Sequence, residues 1–128
     1  MKINVSISTG ELVDKLTILE IKLEKIEDSK KLSNVQKEYD ILAEHMKELS
    51  NNFENVDTFF NKLKKINSKL WEMEDQVRYF MRENKFDKDF INLAKEIHMT
   101  NDLRFEVKNE INKQLKSEIF EQKSYPNF

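Results

Sequence analysis

The chain has few of the residues from which many sites and turns are built. Among its 128 residues there is no cysteine, one glycine and one proline. Without cysteine there is no disulfide framework, no thiolate zinc site and no cysteine nucleophile. One glycine excludes the glycine-rich phosphate loops, because the P-loop and the dinucleotide-binding motif each need at least two. So few turn residues also disfavour a β-sandwich or barrel, and the composition therefore predicts a helical chain.

Charge and hydropathy disfavour two classes of partner. The formal net charge is −2, and a field of this sign does not attract nucleic acid or an anionic membrane. No apolar run reaches the roughly 18 residues of a transmembrane helix, and the opening MKINVSISTG carries no apolar leader segment. We therefore expect a cytoplasmic protein with no nucleic-acid partner and no membrane partner.

Apolar residues recur at steps of three and four along most of the chain. This is the heptad spacing of coiled coils and of helices packed along a neighbour. The spacing lapses near residues 27–30, 50–55 and 84–87, where Ser, Asn and Asp can cap helices or form turns. The pattern predicts four helices, over residues 9–26, from 29 or 33 to 49, over 56–84 and over 88–120.

Two of the predicted helix starts carry a recognisable cap. Ser8-Thr9-Gly10-Glu11 has the form of a capping box, in which the side chains of Ser8 and Glu11 each accept from the other residue's amide. Asp87 is placed to cap the fourth helix. Gly10 lies in the first turn of the first helix, where a close backbone approach to a partner or ligand would require a glycine.

The two ends of the chain have a different pattern. Apolar and polar residues alternate over residues 1–8, as in a short half-buried strand or an extended arm. The tail contains the only proline, and Tyr125 and Phe128 favour its docking on the bundle. The sequence thus predicts a single all-α domain over residues 1–128, with an extended arm (1–8), a bundle of two antiparallel helical hairpins (9–120) and an irregular tail (121–128).

The fourth predicted helix carries polar residues on a line that should face the core. Continuing its apolar stripe at helical spacing leads to Asn101, Arg104 and Lys108 before the stripe returns to Ile111. Residues three and four apart on a helix are neighbours on one surface. These three polar side chains are therefore expected together, in the core or at a groove beside it.

Similar lines run beside the apolar seams of two other helices, formed by Glu11, Lys15, Ile18 and Lys22 on the first and by Asn67, Trp71, Glu74 and Arg78 on the third. If the three lines converge, the bundle holds a polar centre of ten residues: Glu11, Asp14, Lys15, Lys22, Trp71, Glu74, Asp75, Asn101, Arg104 and Lys108. Bundle cores are where helical proteins build ligand sites. Paired charges beside a seam also set helix register. A ligand-binding centre and a structural network of ion pairs are thus both consistent with the sequence.

Four segments, in order, carry a resemblance that spans nearly the whole chain. GELVDKLTILEIKLEKI (10–26), LWEMED (70–75), TNDLRFEVKNEIN (100–112) and EQKSY (121–125) resemble the bacterial domain of unknown function called family 6165. Its members are small helical proteins of bacteria and some tailed phages, at times joined to or encoded beside glycosyltransferase or surface-polysaccharide genes. The resemblance implies a shared polar centre, and an intracellular protein of bacterial or viral origin, but no reaction.

A second similarity concerns carboxylate spacing. Glu11-x-x-Asp14 and Glu72-x-x-Asp75 are similar to the metal-binding pairs of helical MazG-type nucleotide pyrophosphohydrolases. Hard oxygens three residues apart share a helix face and suit Mg²⁺, which would bridge phosphates. The similarity implies an alternative function as a Mg²⁺-dependent phosphohydrolase, with Glu11, Asp14, Glu74 and Asp75 on the metal and Lys15, Arg104 and Lys108 on phosphate.

The first functional hypothesis is nevertheless an interaction or adaptor protein, linked by the family resemblance to surface-polysaccharide metabolism. Long third and fourth helices would expose apolar faces unless a second copy covered them, so we expect a homodimer, with another protein as a second candidate partner. No catalytic residue can be assigned, and this hypothesis requires no cofactor, whereas the alternative requires Mg²⁺. His45 and His98 have no second ligand at metal spacing, so no transition-metal site is predicted.

Overall fold

A computed structural model describes residues 1–126 and contains four helices. They are α1 (Thr9–Lys25), α2 (Ser29–Asn52), α3 (Val56–Arg82) and α4 (Lys88–Gln114). The structure is 75% helical, and no strand occurs in the described range. The predicted all-α bundle is therefore confirmed. No helix within residues 1–126 is long and apolar enough to cross a membrane.

Helices α1, α3 and α4 enclose the core. Helix α1 packs against all three other helices, and α3 pairs with α4. Ion pairs from Lys62 to Glu110 and from Lys69 to Glu96 show that α3 and α4 run antiparallel. The buried apolar cluster comes almost entirely from α3 and α4 and includes Val56, Phe59, Leu63, Ile66, Leu70, Met73, Leu93, Val107, Ile111 and Leu115.

Helix α2 is peripheral. It contacts α1 extensively and α3 only slightly, and none of its residues is fully buried. The predicted seam of this helix, which includes Tyr39, Leu42 and Met46, is half-buried. A helix with one covered face of this kind is anchored mainly by its single neighbour.

The helix starts follow the predicted caps with two differences. The Ser8 hydroxyl accepts from the Glu11 amide at 3.1 Å, and Asp87 accepts from two amides of α4. Helix α2 is capped by Asp28, whose carboxylate accepts from Lys31 N, and not by Ser29 or Ser33. The Glu11 carboxylate does not complete the capping box, because it binds the ammonium of Lys108 instead.

Helices α3 and α4 end earlier than predicted, and they end in the same way. Asn84 and Lys116 each adopt a positive φ of 52°. The next amide then bonds a carbonyl five residues back, from Lys85 N to Phe80 O and from Ser117 N to Asn112 O, both at 2.8 Å. This is the Schellman ending that usually employs glycine. In a chain with one glycine, asparagine and lysine take the position instead, so the prediction of helix to residue 120 was wrong.

The arm and tail lie outside the helices. Residues 1–8 form no helix or strand, and Ile3 and Val5 are 74% exposed, so the half-buried strand that the sequence allowed is not formed. The tail contacts α4, with the Lys123 ammonium 5.2 Å from the ring centroid of Phe105. The predicted docking of Phe128 falls outside the described residues.

Gly10 lies where α1 approaches α4 most closely. Its amide donates to Asn112 Oδ1 at 2.6 Å. A Cβ on Gly10 would collide with the carbonyl oxygen of Lys108 and lie 2.9 Å from Asn112 Oδ1. The close backbone approach predicted at Gly10 is confirmed, but the neighbour is α4 of the same chain and not a partner or ligand.

We expect Gly10→Ala to destabilise the fold by about 1–3 kcal/mol, the usual cost of overpacking a close contact. In an open helix position the same change would stabilise by about 0.5–1 kcal/mol. Urea unfolding would measure the difference, with Ser33→Ala on the exposed side of α2 as the control. A Gly10→Ala protein as stable as the parent would show that α1 and α4 are not in backbone contact.

Candidate functional site

The site is built around Asp14, a carboxylate with no solvent exposure. Asp14 lies on α1 next to Val13, which is also fully buried, so the helix carries it into the core. A buried charge is costly unless it is paired and hydrogen-bonded. The surrounding helices therefore have to supply donors to this side chain.

Those donors come from α3 and α4. The Arg104 guanidinium binds Asp14 in a bidentate pair, from Nε to Oδ1 at 3.0 Å and from Nη2 to Oδ2 at 2.5 Å. Asn67 donates to Asp14 Oδ1 at 2.8 Å and to Thr17 Oγ1 at 2.8 Å. The Thr17 hydroxyl donates in turn to the Asp14 carbonyl at 2.7 Å. Asp14 is thus the point at which α1, α3 and α4 meet.

A second cation, Lys108, lies one turn further along α4. Its side chain is only 9% exposed, and its Nζ lies 2.8 Å from Glu11, 2.9 Å from Glu121 and 4.0 Å from Asp14. Glu121 belongs to the tail, so this ion pair holds the tail against the bundle. We use the name polar centre for Glu11, Asp14, Asn67, Arg104 and Lys108.

Both cations of the polar centre are stabilised in their charged form. Hydrogen bonds to Asp14 raise the pKa of Arg104, against a smaller opposing effect of burial. Burial alone would lower the pKa of Lys108, but the hydrogen bond to Glu11, the ion pair with Glu121 and the charge of Asp14 raise it overall. The centre is a network of compensated charges at neutral pH.

A cleft of about 240 Å³ opens beside the polar centre. We call it the Trp71 cleft; its walls come from α1, α3 and α4 and consist of Ile18, Ile21, Asn67, Leu70, Trp71, Glu74, Arg78, Asn101 and Arg104. Arg104 belongs to both the polar centre and the Trp71 cleft, because one edge of its guanidinium binds Asp14 and its side chain also lines the cleft. The apolar floor and polar rim resemble the general make-up of small-ligand sites.

The ten predicted site residues fall into three groups. Glu11, Asp14, Arg104 and Lys108 meet in the polar centre. Trp71, Glu74 and Asn101 line the cleft with Arg104. The remaining three, Lys15, Lys22 and Asp75, lie outside both features: Lys15 is exposed, Lys22 is half-buried, and Asp75 pairs with Arg78 on the surface.

The four carboxylates of the alternative magnesium site are not gathered around one point. Asp14 and Glu11 are bound by Arg104 and Lys108, and Asp75 is bound by Arg78. Among the residues that the structure describes, no group of three or more His, Asp or Glu side chains could hold a metal ion. The geometry therefore gives the magnesium hypothesis no support.

Four contributors were not among the ten predicted site residues. Helical spacing placed Asn67 on the polar line of α3, four residues before Trp71, but it was not counted in the centre. Thr17, Asn112 and Glu121 carry no such signal, because a small polar residue on a buried face or in a tail has no periodicity of its own. Their roles depend on which helices meet.

A larger cavity of about 310 Å³ lies between α1, α2 and α3. Leu16, Met46 and Phe60 form much of its wall, with Tyr39 as a polar group. None of the predicted site residues reaches it. We therefore regard the smaller Trp71 cleft as the candidate site.

Comparison with known proteins identifies the family. The family of unknown function DUF6165 matches residues 1–127, and the chain belongs to it. This confirms the resemblance found in the sequence. No curated protein and no solved structure matches the chain significantly.

Removing the buried charge tests the polar centre. We expect Asp14→Asn to destabilise the protein by about 3 kcal/mol, because Arg104 loses the anion that compensates its burial. The matched control is Asp75→Asn, the same chemical change in an exposed pair, for which we expect less than about 1 kcal/mol. Chemical unfolding of both variants gives the comparison, and equal effects would contradict the assignment.

The raised pKa of Lys108 predicts a stability change at alkaline pH. A lysine whose pKa is higher folded than unfolded stabilises the fold fully below its unfolded pKa, about 10.4, and this stabilisation is lost as the pH rises through the folded value. The difference in unfolding free energy between the parent and Lys108→Met should therefore be constant near neutrality and shrink above about pH 10. A difference that does not change up to pH 11 would contradict the raised pKa.

Proposed function

We propose that this family member is a non-enzymatic interaction protein whose Trp71 cleft recognises an acidic group on a small ligand or on a partner. The single observation that carries the proposal is the position of Arg104. One edge of its guanidinium is bound to the buried Asp14, and the same side chain lines the cleft.

An arginine held in this way is ready to bind a second anion. The guanidinium has five N–H donors in a fixed plane, and Asp14 uses Nε and one N–H of Nη2. The remaining donors, on Nη1 and Nη2, suit a carboxylate or phosphate in bidentate geometry. Because Asp14 already fixes the side chain, little rotamer entropy is lost when the ligand binds.

The other walls of the cleft suit a small ring. Trp71 is half-buried and offers an aromatic face, and Asn101 adds an amide that is also half-buried. Sites for drug-sized molecules span about 300–1,000 Å³. A cleft of about 240 Å³ matches a single ring or one side chain of a partner. The surface-polysaccharide link implied by the family resemblance would supply a ligand of this kind, an acidic sugar.

Three further predictions from the sequence belong to this proposal. We infer that the protein acts in the cytoplasm, that it works as a homodimer, and that its long helices pair in a coiled-coil manner. The homodimer draws support from the large apolar side chains that remain exposed on α4, such as Met99 at 72%.

We do not propose the alternative function, a Mg²⁺-dependent phosphohydrolase. That function needs free carboxylates around a metal ion. Glu11 and Asp14 are bound by cations, so binding Mg²⁺ there would first require breaking their ion pairs with Lys108 and Arg104.

Trp71 makes the proposal directly testable, because it is the only tryptophan in the chain and it lines the cleft. Titration with glucuronate should change its fluorescence in a saturable way, whereas glucose, which lacks the carboxylate, should bind at least about tenfold more weakly. Inorganic phosphate tests whether the acidic group alone is sufficient. Sodium chloride at equal ionic strength is the control for screening.

A pair of asparagine variants locates the binding. Asn101→Ala, in the cleft, should weaken glucuronate binding several-fold, while Asn109→Ala, on the same helix but outside the cleft, should leave it unchanged. An unchanged fluorescence with both glucuronate and phosphate, in a folded protein, would overturn the proposed function.

A further inference from the structure

The side of α4 that faces away from the bundle carries large exposed apolar side chains. Ile91 is 51% exposed, Met99 72% and Leu103 45%. Several large apolar side chains exposed on one side of a helix often mark an interaction surface. This outer face is separate from the Trp71 cleft, to which α4 contributes Asn101 and Arg104.

Charged residues on the same outer face are sorted by sign along the helix. The outer face carries two series of residues at seven-residue spacing, one of Lys88, Lys95 and Asp102 and one of Met99 and Glu106. The two series are offset by three residues, so all five side chains fall on one narrow stripe of the helix. The two lysines precede Met99 and the two acids follow it. The outer face is therefore basic in its first half and acidic in its second half.

These four charges have no partner within the described part of the chain. Ion pairs across the α3–α4 contact use Glu96 and Glu110, which bind Lys69 and Lys62. No ion pair inside residues 1–126 involves Lys88, Lys95, Asp102 or Glu106. The sorted charges thus contribute nothing to the packing of this chain on itself.

We propose that a second copy of this chain packs along the outer face of α4, antiparallel, with the two-fold axis beside Met99. A two-fold axis brings the same surface of each copy together, so the surface has to be complementary to itself. About Met99, Lys95 of one copy lies opposite Asp102 of the other, and Lys88 lies near Glu106 and Glu110. Ile91 and Leu103 flank the paired charges, one on each side of the stripe.

The charges decide the orientation and the kind of partner. A parallel pair would place like charges side by side, which is unfavourable. A uniformly charged partner would be attracted by one half of the face and repelled by the other. In the antiparallel pair, Lys113 of one copy lies opposite the turn that precedes α4 in the other copy, so this lysine is outside the stretch of paired charges. The interface does not depend on the proposed ligand, since the Trp71 cleft contributes none of its residues.

Charge reversal tests the pairing. Sedimentation of the full chain over a wide range of concentration should show a monomer–dimer equilibrium that added salt weakens. K88E/K95E makes the outer face acidic throughout and should raise the dimer dissociation constant about tenfold or more. Adding D102K/E106K to the same chain inverts the pattern and should restore the dimer. Failure of this rescue in a folded protein would overturn the pairing.

A cysteine at the axis tests the geometry independently, because the chain has no cysteine of its own. Met99→Cys should form a disulfide between two copies under mild oxidation, since residues at a two-fold axis come within the roughly 4.4–6.8 Å that the bond requires. Glu38→Cys, exposed on α2, is the control and should cross-link much less. A parent chain that sediments as a monomer at every concentration would overturn the proposal. The same holds if that monomeric chain binds another protein instead of a second copy of itself.

Discussion

The structure depends on one constraint, the need to compensate the buried charge of Asp14. An ionised carboxylate in the core is tolerated only with a full set of donors. Arg104 and Asn67 supply that set from two different helices. The relative positions of α1, α3 and α4 are therefore fixed by hydrogen bonds of defined length as well as by apolar packing, which alone would allow them to slide.

The features around the site follow from that constraint. To bring Asp14 to Arg104, the first turn of α1 has to approach α4 closely. At position 10 the distance is so short that only glycine, which has no Cβ, fits without a collision. The same approach brings Glu11 to Lys108, and Lys108 then binds the tail through Glu121. On the opposite side, the anchored Arg104 forms a wall of the Trp71 cleft. The structural network and the proposed ligand site, which the sequence left as alternatives, thus share one arginine.

The fold was largely predictable from local signals. Heptad spacing located the helices, and Ser8 and Asp87 marked two of their starts because a helix cap is a contact between neighbouring residues. Helix ends were less predictable, since the chain uses Asn84 and Lys116 where glycine would have given a signal. Four of the five residues of the polar centre were foreseen, and two of them, Arg104 and Lys108, were found because α4 interrupts its own apolar line there. Thr17 was missed, because its role appears only when α1 and α3 come together, and Asn67 was placed on the polar line of α3 but not counted in the centre. Lys15 and Lys22 were included because spacing alone does not determine which flank of a seam faces a neighbour.

The most direct test of this account is a double-mutant cycle between Asp14 and Arg104. The free energies of unfolding of Asp14→Ala, Arg104→Ala and the double variant give the coupling between the two side chains. If the buried pair fixes the helices, the coupling should be about 2 kcal/mol or more, with the double variant less destabilised than the sum of the single changes. Additive effects, within about 0.5 kcal/mol, would show that the two residues act independently and would contradict the account.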